Sequence, residues 1–188
     1  MGEVAEIKSA ARVHRDEWKN SGIPFYRSSD VVAYFNKKEN SNGKVYISEE
    51  LYKKLTAKTG ILEKDDILIT GGGSIGIPFL KIDNSPLYTK DADLIWIKHS
   101  KNFDSRFLYQ FFLTENFIDH LKINSHIGTI AHYTIIQVKN TPIKLPCLEE
   151  QKKIAEYFSC LDKIIYEENK ILENMRLMKK GLLQKLFV

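Results

Sequence analysis

Between Cys147 and Phe187, apolar side chains recur at Ile154, Phe158, Leu161, Ile165, Leu172, Met175, Leu182 and Leu186. The gaps alternate between four and three, and the two skipped places fall at Glu168 and Lys179. This is the heptad seam of a helix that packs on another helix. A second apolar row, Tyr157, Ile164, Ile171 and Met178, runs one position ahead of it. The stripe is therefore wider than a two-stranded seam requires, which predicts contact with a helical partner and with something else. No Pro interrupts the stretch, and its first Gly is Gly181. At about 1.5 Å per residue the rod is roughly 60 Å long. The sequence holds no second helix of this kind, so the partner is expected from another chain.

Upstream the pattern changes. Residues 3–13 alternate loosely and predict a helical turn and a strand. Asn20-Ser21-Gly22 is a turn, and Ile23-Pro24-Phe25-Tyr26-Arg27-Ser28-Ser29-Asp30-Val31 reads as a strand running into a polar loop. Asn40-Ser41-Asn42-Gly43 is another turn. Ser48 is placed to cap a helix over 49–58, and Gly60 to stop it. Short apolar runs at 66–70, 79–80 and 93–98 predict strands, with a glycine loop, Gly71-Gly72-Gly73-Ser74-Ile75-Gly76, between the first two. Asp104 can cap one core helix carrying Phe107, Leu108, Phe111, Phe112, Phe117 and Ile118. A polar loop follows over 123–133, then a short element at 134–139 and the extended Pro142-Ile143-Lys144-Leu145-Pro146. The expected architecture is α+β: a globular mixed α/β domain over 1–146, then one long C-terminal coiled-coil helix over 147–188.

Composition narrows the field only modestly. The 43% hydrophobic and 11% aromatic content suffices for a packed core. The net charge is +4, of which residues 1–146 carry about +3 (20 Lys/Arg against 17 Asp/Glu). That balance permits nucleic-acid binding without pointing to it. Cys147 and Cys160 fit neither a zinc motif nor a disulfide framework and are expected to be reduced thiols in a cytoplasmic protein. The first residues do not read as a signal peptide, and no apolar run is long enough for a membrane span.

Two ordered stretches carry a resemblance. Pro146-Cys147-Leu148-Glu149-Glu150-Gln151-Lys152-Lys153-Ile154-Ala155-Glu156-Tyr157-Phe158, then Leu161-Asp162, lead to Lys179-Lys180-Gly181-Leu182-Leu183-Gln184-Lys185-Leu186-Phe187. Together they resemble the conserved spacer helix of type I restriction-modification specificity subunits. The pairing of the Leu-Glu-Glu-Gln start with the Lys-Lys-Gly-Leu-Leu-Gln end is the specific part, since heptads alone are common. Gly22-Ile23-Pro24-Phe25-Tyr26-Arg27 is similar to a segment near the start of that family's target recognition domains.

Candidate contact residues lie in three segments. The glycine loop closes with Ile75-Gly76-Ile77, so it is no P-loop, and Pro78 follows where a dinucleotide fingerprint would open a helix. It resembles the Gly-rich hairpin of target recognition domains, which implies that Thr70, Gly72, Gly73 and Ser74 lie near DNA, where glycines let backbone amides approach closely. The alternative is a tight hairpin without a ligand. Ser125-His126-Ile127-Gly128-Thr129-Ile130-Ala131-His132 resembles a Gly-Thr-x-x-x-His-type segment late in such domains, which makes His126, Thr129 and His132 candidates. The alternative is a structural histidine and a turn threonine. Arg27, Ser28 and Ser29 follow an aromatic pair, and Arg27 can reach a guanine, a phosphate, or only a neighbouring Asp. Lys37, Lys38, Lys44, Lys53, Lys54 and Lys58 add either sequence-independent attraction or a solvated face.

Catalysis finds little support. Asp83-Asn84-Ser85-Pro86-Leu87-Tyr88 lacks the adjacent prolines of an adenine methyltransferase motif, and no cofactor or metal-binding cluster stands out. No cofactor and no metal are expected. The resemblance implies a non-catalytic specificity subunit that binds double-stranded DNA and the methyltransferase (modification) subunits, with the restriction subunit joining that complex. Full subunits of the family hold two recognition domains and two such helices, packed antiparallel. This sequence carries one of each, as in a half-subunit, so an antiparallel homodimer paired along its seam is expected to read a bipartite site. Two rivals remain: a coiled-coil protein-interaction module without DNA readout, and a fragment of a fused methyltransferase-specificity enzyme.

Overall fold

A computed structural model describes residues 1–90, 93–124 and 132–187. In chain order it holds β1 (Ile7–Lys8), a 3-10 turn (Arg15–Glu17), β2 (Ile23–Tyr26), α1 (Ser28–Phe35), β3 (Tyr46–Ile47) and α2 (Glu49–Thr59). Then come β4 (Ile67–Thr70), β5 (Pro78–Leu80), β6 (Tyr88–Thr89), β7 (Leu94–Ile97), α3 (Ser105–Phe111), α4 (Glu115–Asn124), α5 (Ile135–Asn140) and α6 (Leu148–Leu186).

The centre is a four-stranded antiparallel sheet in the order β1-β7-β4-β5. Its two inner strands read as unbroken apolar runs because both faces are covered. Ile67, Ile69, Ile95 and Ile97 face a core shared with Leu108 of α3, Phe112 just past its end and Phe117 of α4. Leu68, Leu94 and Trp96 point the other way, onto Val31 of α1, Leu62 and Leu87. The period-2 alternation of strands thus divides one run between two cores. Burying each of these side chains contributes about 1.5–3 kcal/mol. A smaller sheet, β3-β2-β6, pairs β2 parallel with β6 and antiparallel with β3. Its core holds Phe25, Ile47, Leu55 and Tyr88. The α2 cap forms as its sequence predicts, with Leu51 N donating to Ser48 Oγ at 3.2 Å and Gly60 at φ +87° past the last turn.

Two elements depart from the sequence reading. The stretch after Tyr26 is a helix, not a loop. Asp30, at the third helical position, accepts from Arg27 N at 2.8 Å and so closes the first turn of α1. The two valines suggest a strand, but tertiary burial of Val31 outweighs their weak helix preference. The core helix after Asp104 is also two helices. The chain tightens at Leu113 and Thr114, and Thr114 Oγ1 then accepts from Phe117 N at 3.4 Å. The break lets Phe112 and Phe117 meet edge to face, 4.9 Å between ring centres, inside one core.

The long helix α6 has 39 residues, about 58 Å of rise. Its base is bolted to the globular part by Gln151, which is 1% exposed. Asp104 N donates to Gln151 Oε1 at 2.9 Å, and Gln151 Nε2 donates to the Pro146 carbonyl at 2.8 Å. The Gln that ends the Leu-Glu-Glu-Gln motif therefore joins the first turns of α3 and α6. Ala155 is fully buried beside it, and Gln110 Nε2 donates to Asp162 Oδ2 at 3.0 Å. Lys37, just past α1, places its ammonium 5.4 Å from the Tyr166 ring centre. Gln151, Ala155, Asp162 and Tyr166 share one face. At about 100° per residue, that face lies roughly 100° round the helix from the heptad seam. The second apolar row does not make the extra contact expected from the wide stripe: Tyr157, Ile164, Ile171 and Met178 are between 48% and 68% exposed, and the globular part packs on the opposite flank of the seam. From Glu167 to Phe187 every residue is exposed except Gly181.

Candidate nucleic-acid interface

β4 carries the chain out of the core to Thr70, and the glycine loop turns it back into β5. Thr70 closes that loop with both of its groups. Its hydroxyl donates to the Ser74 carbonyl and accepts from Ile77 N at 2.9 Å. Its carbonyl accepts from Gly76 N at 2.7 Å. Gly73 and Gly76 sit at φ +75° and +82°, where a side chain is strained. A Cβ on Gly76 would also meet Leu121 Cδ1 at 2.1 Å, whereas Gly73 opens to solvent. The rear glycine anchors the hairpin on α4, and the front one presents bare backbone outward.

Asp93 ties this hairpin to α1. Its carbonyl accepts from Gly71 N at 2.8 Å and from Ser28 Oγ at 2.8 Å. Its carboxylate pairs with Lys90. On the far side, Tyr133 N donates to the Gly71 carbonyl at 2.8 Å, and Gly72 and His132 form an isolated β-bridge. Segments far apart in the chain, 28–29, 71–74 and 132–133, are thereby fastened together.

Between α1 and the hairpin lies an open groove of about 430 Å³. Its walls are Ser28, Ser29 and Val32 on one side and Gly72, Gly73 and Ser74 on the other, with Asn36, Lys38, Asn40 and Asn42 across its mouth. The mouth loop is held in shape from beneath. Arg27 donates to the Gly43 carbonyl at 2.6 Å and pairs with Asp30 at 2.8 Å. Asn40 Nδ2 donates to Asp30 Oδ1 at 2.5 Å and to Ser29 Oγ at 3.1 Å. The turn out of α1 has Lys37 at φ +53°, with Lys38 N reaching back to the Ala33 carbonyl at 2.9 Å.

The candidate residues named from sequence therefore fall into groups. Thr70 and Gly72 are buried and hold the hairpin. Arg27 is engaged with Asp30, Gly43 and, 5.6 Å away, the Trp18 ring. Ser28 and Ser29 are half-buried in the groove wall, while Gly73, Ser74 and His132 are exposed. His126 and Thr129 lie outside the described residues. Residues 36–42 were visible in sequence only as two lysines and an Asn/Ser turn. Their place at the groove depends on contacts across the chain.

A second polar cluster sits apart from the groove. Asp66 is fully buried and accepts from Trp96 Nε1 at 2.9 Å, Glu63 N at 2.8 Å and His99 N at 2.8 Å, with His99 Nδ1 also 2.8 Å away. Nothing local in the sequence pairs Asp66 with His99. The fold brings them together to fix the end of β7. Nearby, the exposed Asp83 is held down to about 2 by hydrogen bonds from Ser85 and then from Lys81.

Comparison with known proteins agrees across the chain. Residues 1–175 match the family described as the type I restriction modification DNA specificity domain. A Haemophilus influenzae protein named as a type I restriction enzyme specificity subunit is 29% identical over 179 residues, 94% of this chain and 42% of its own. The MjaIX specificity subunit of Methanocaldococcus jannaschii is 29% identical over 180 residues, 94% of this chain and 40% of its own. The chain thus spans about two fifths of the length of these relatives. Among solved structures, one from work on complex assembly of the type I R-M system superposes with a TM-score of 0.66 at 18% identity, covering 98% of this chain and 42% of that one. The HsdS subunit from Thermoanaerobacter tengcongensis gives 0.57 at 16% identity, covering 88% and 37%. At these identities the structural likeness speaks for the fold.

Proposed function

The chain belongs to the type I restriction-modification DNA specificity domain family, and from that membership we propose that it reads one half of a bipartite DNA site. In this reading, residues 1–146 form the target recognition domain and 147–188 the spacer helix. The observation that carries the proposal is the groove between α1 and the glycine hairpin. Ser28 and Ser29, which follow the Gly22–Arg27 segment, face the glycine hairpin across it, and His132 bridges Gly72 on the hairpin's far side, although these segments are distant in sequence.

The chemistry suits a duplex. Asn36 and Asn42 offer amides of the type that pairs with adenine edges, and Lys38 offers a cation for guanine or phosphate, while the Asn40 amide is spent on Asp30 and Ser29. Ser74 and the bare Gly73 backbone can approach a phosphate. Arg27 acts beneath the surface in this reading, shaping the loop through Gly43 and Asp30 rather than touching a base. The helix α6 holds the groove at a fixed distance from a second recognition domain at the other end of an antiparallel pair. Methyl transfer and cleavage belong to the methyltransferase and restriction subunits that such a pair would position.

The test is methylome sequencing of cells with and without the gene. A bipartite adenine motif that disappears with the gene is expected. Ser74→Glu, which adds a negative charge to the groove mouth of both copies, is expected to abolish methylation at the motif without lowering the protein's melting temperature. A methylome indifferent to both changes would leave a protein-interaction module as the better account. In vitro, binding with the methyltransferase present should fall steeply as salt rises.

A further inference from the structure

We propose that a second copy of this chain docks on the bare seam of α6 in one particular register, fixed by Glu168 of each helix facing Lys179 of the other. The inference rests on the antiparallel pairing proposed above and specifies how that pairing is set.

The seam face needs an occupant. The globular part uses a different face of α6, through Gln151, Ala155, Asp162 and Tyr166. On the seam itself, Ile165, Leu172, Met175, Leu182 and Leu186 are between 45% and 73% exposed. Two charged residues interrupt this apolar row, Glu168 and Lys179. Among the described residues neither carries an intrachain ion pair. A charge left against apolar side chains in a helix seam is costly, so polar seam residues select the arrangement that satisfies them.

Consider each way of pairing two copies. In a parallel, in-register pair, Glu168 faces Glu168 and Lys179 faces Lys179, two repulsive layers. Antiparallel pairs that keep the seams in contact differ by whole heptads. In one, Glu168 faces Leu172 and Lys179 faces Leu161, which strands every charge. One heptad further, Glu168 faces Lys179, Leu172 faces Met175, Ile165 faces Leu182 and Leu161 faces Leu186. Each layer is then apolar against apolar or acid against base. The two-fold axis passes between Glu173 and Asn174, with Ile171 of one helix flanking Met178 of the other. Shifting another heptad in the same direction opposes Glu168 to Leu186 and Lys179 to Met175. One register alone cancels both interruptions, and it does so twice by symmetry.

The register has a consequence for spacing. Changing it by one heptad moves the two globular parts by roughly 10 Å along the rod, about three base pairs of duplex. A charge pair in the seam would thus set the length of the unread spacer.

The test uses the full 188-residue chain and sedimentation equilibrium. Glu168→Lys and Lys179→Glu are each expected to weaken the dimer by about tenfold or more, and the double exchange to return it to within about threefold of the parent. A double variant no tighter than the weaker single variant overturns the register. As a second readout, with Cys147 and Cys160 replaced by Ser, Ile165→Cys/Leu182→Cys should form an interchain disulfide. Ile165→Cys/Met175→Cys should not, since it reports the neighbouring heptad. The reverse result, or a disulfide from Ile165→Cys alone, also overturns it. A parent chain that stays monomeric at all concentrations removes the self-pairing itself. A dimer that fails the charge exchange removes only the register.

Discussion

The two halves of α6 carry the same heptad rhythm but live in different surroundings. The half up to Tyr166 is clamped to the globular part, with Gln151 at 1% exposure and Ala155 at 0%. The half from Glu167 onward is bare apart from partly covered Gly181. A periodic stripe therefore announces that a helix has a partner, but not which of its faces meets which partner. Near the base the neighbour is α3, held by hydrogen bonds on a face turned away from the seam. Further out, nothing among the described residues of its own chain covers the seam.

That contrast can be broken most severely in the seam. Leu161→Asp together with Ile165→Asp puts four carboxylates into the proposed dimer interface, at a cost of more than about 4 kcal/mol. Light scattering should report a monomer in place of a dimer, while the melting of the globular part shifts less, because Ile165 is exposed and Leu161 only half-buried. An unchanged mass would contradict the seam as the dimer interface.

The clamp is the next target. Gln151→Ala leaves the Asp104 amide and the Pro146 carbonyl without partners, which should destabilise the fold by about 2–3 kcal/mol. Thermal denaturation followed by circular dichroism checks this, and the dimer mass should survive. The link at Tyr166 is weaker. Tyr166→Ala removes an exposed cation–π contact and should cost about 0.5–1 kcal/mol, read as a small drop in denaturant midpoint.

The smallest effect is alkaline. Burial, reinforced by the charge on Asp162, raises Tyr109 above its ordinary value of 10.0, and burial raises Tyr133 likewise. A group that holds its proton more tightly when folded gives stability that is complete below pH 10 and is lost as pH climbs through the raised value. Chemical denaturation at rising alkaline pH should show that loss, and Tyr109→Phe should reduce it.

Much of this molecule is local and therefore legible. The seam, the Ser48 and Gly60 ends of α2 and the period-2 strands at 67–70 and 94–97 follow from residues within a few positions of one another. The misread stretch after Tyr26 shows where local rules divide. Val31 and Val32 favour a strand, whereas Asp30 reaching back to Arg27 favours a helix, and burial against the sheet decided between them. The glycine hairpin was legible as a turn, but not as the wall of a groove.

By itself, then, the sequence determined that a long helix with an interrupted apolar seam follows a mixed globular part, because 3.6-residue and 2-residue periods are properties of the chain alone. Only tertiary structure could join Ser28 to Gly71 through one carbonyl of Asp93, turn Arg27 inward, and give the base of α6 a second working face. Those contacts link residues far apart along the chain. Their geometry is set by how whole elements pack, which no window of neighbouring residues contains.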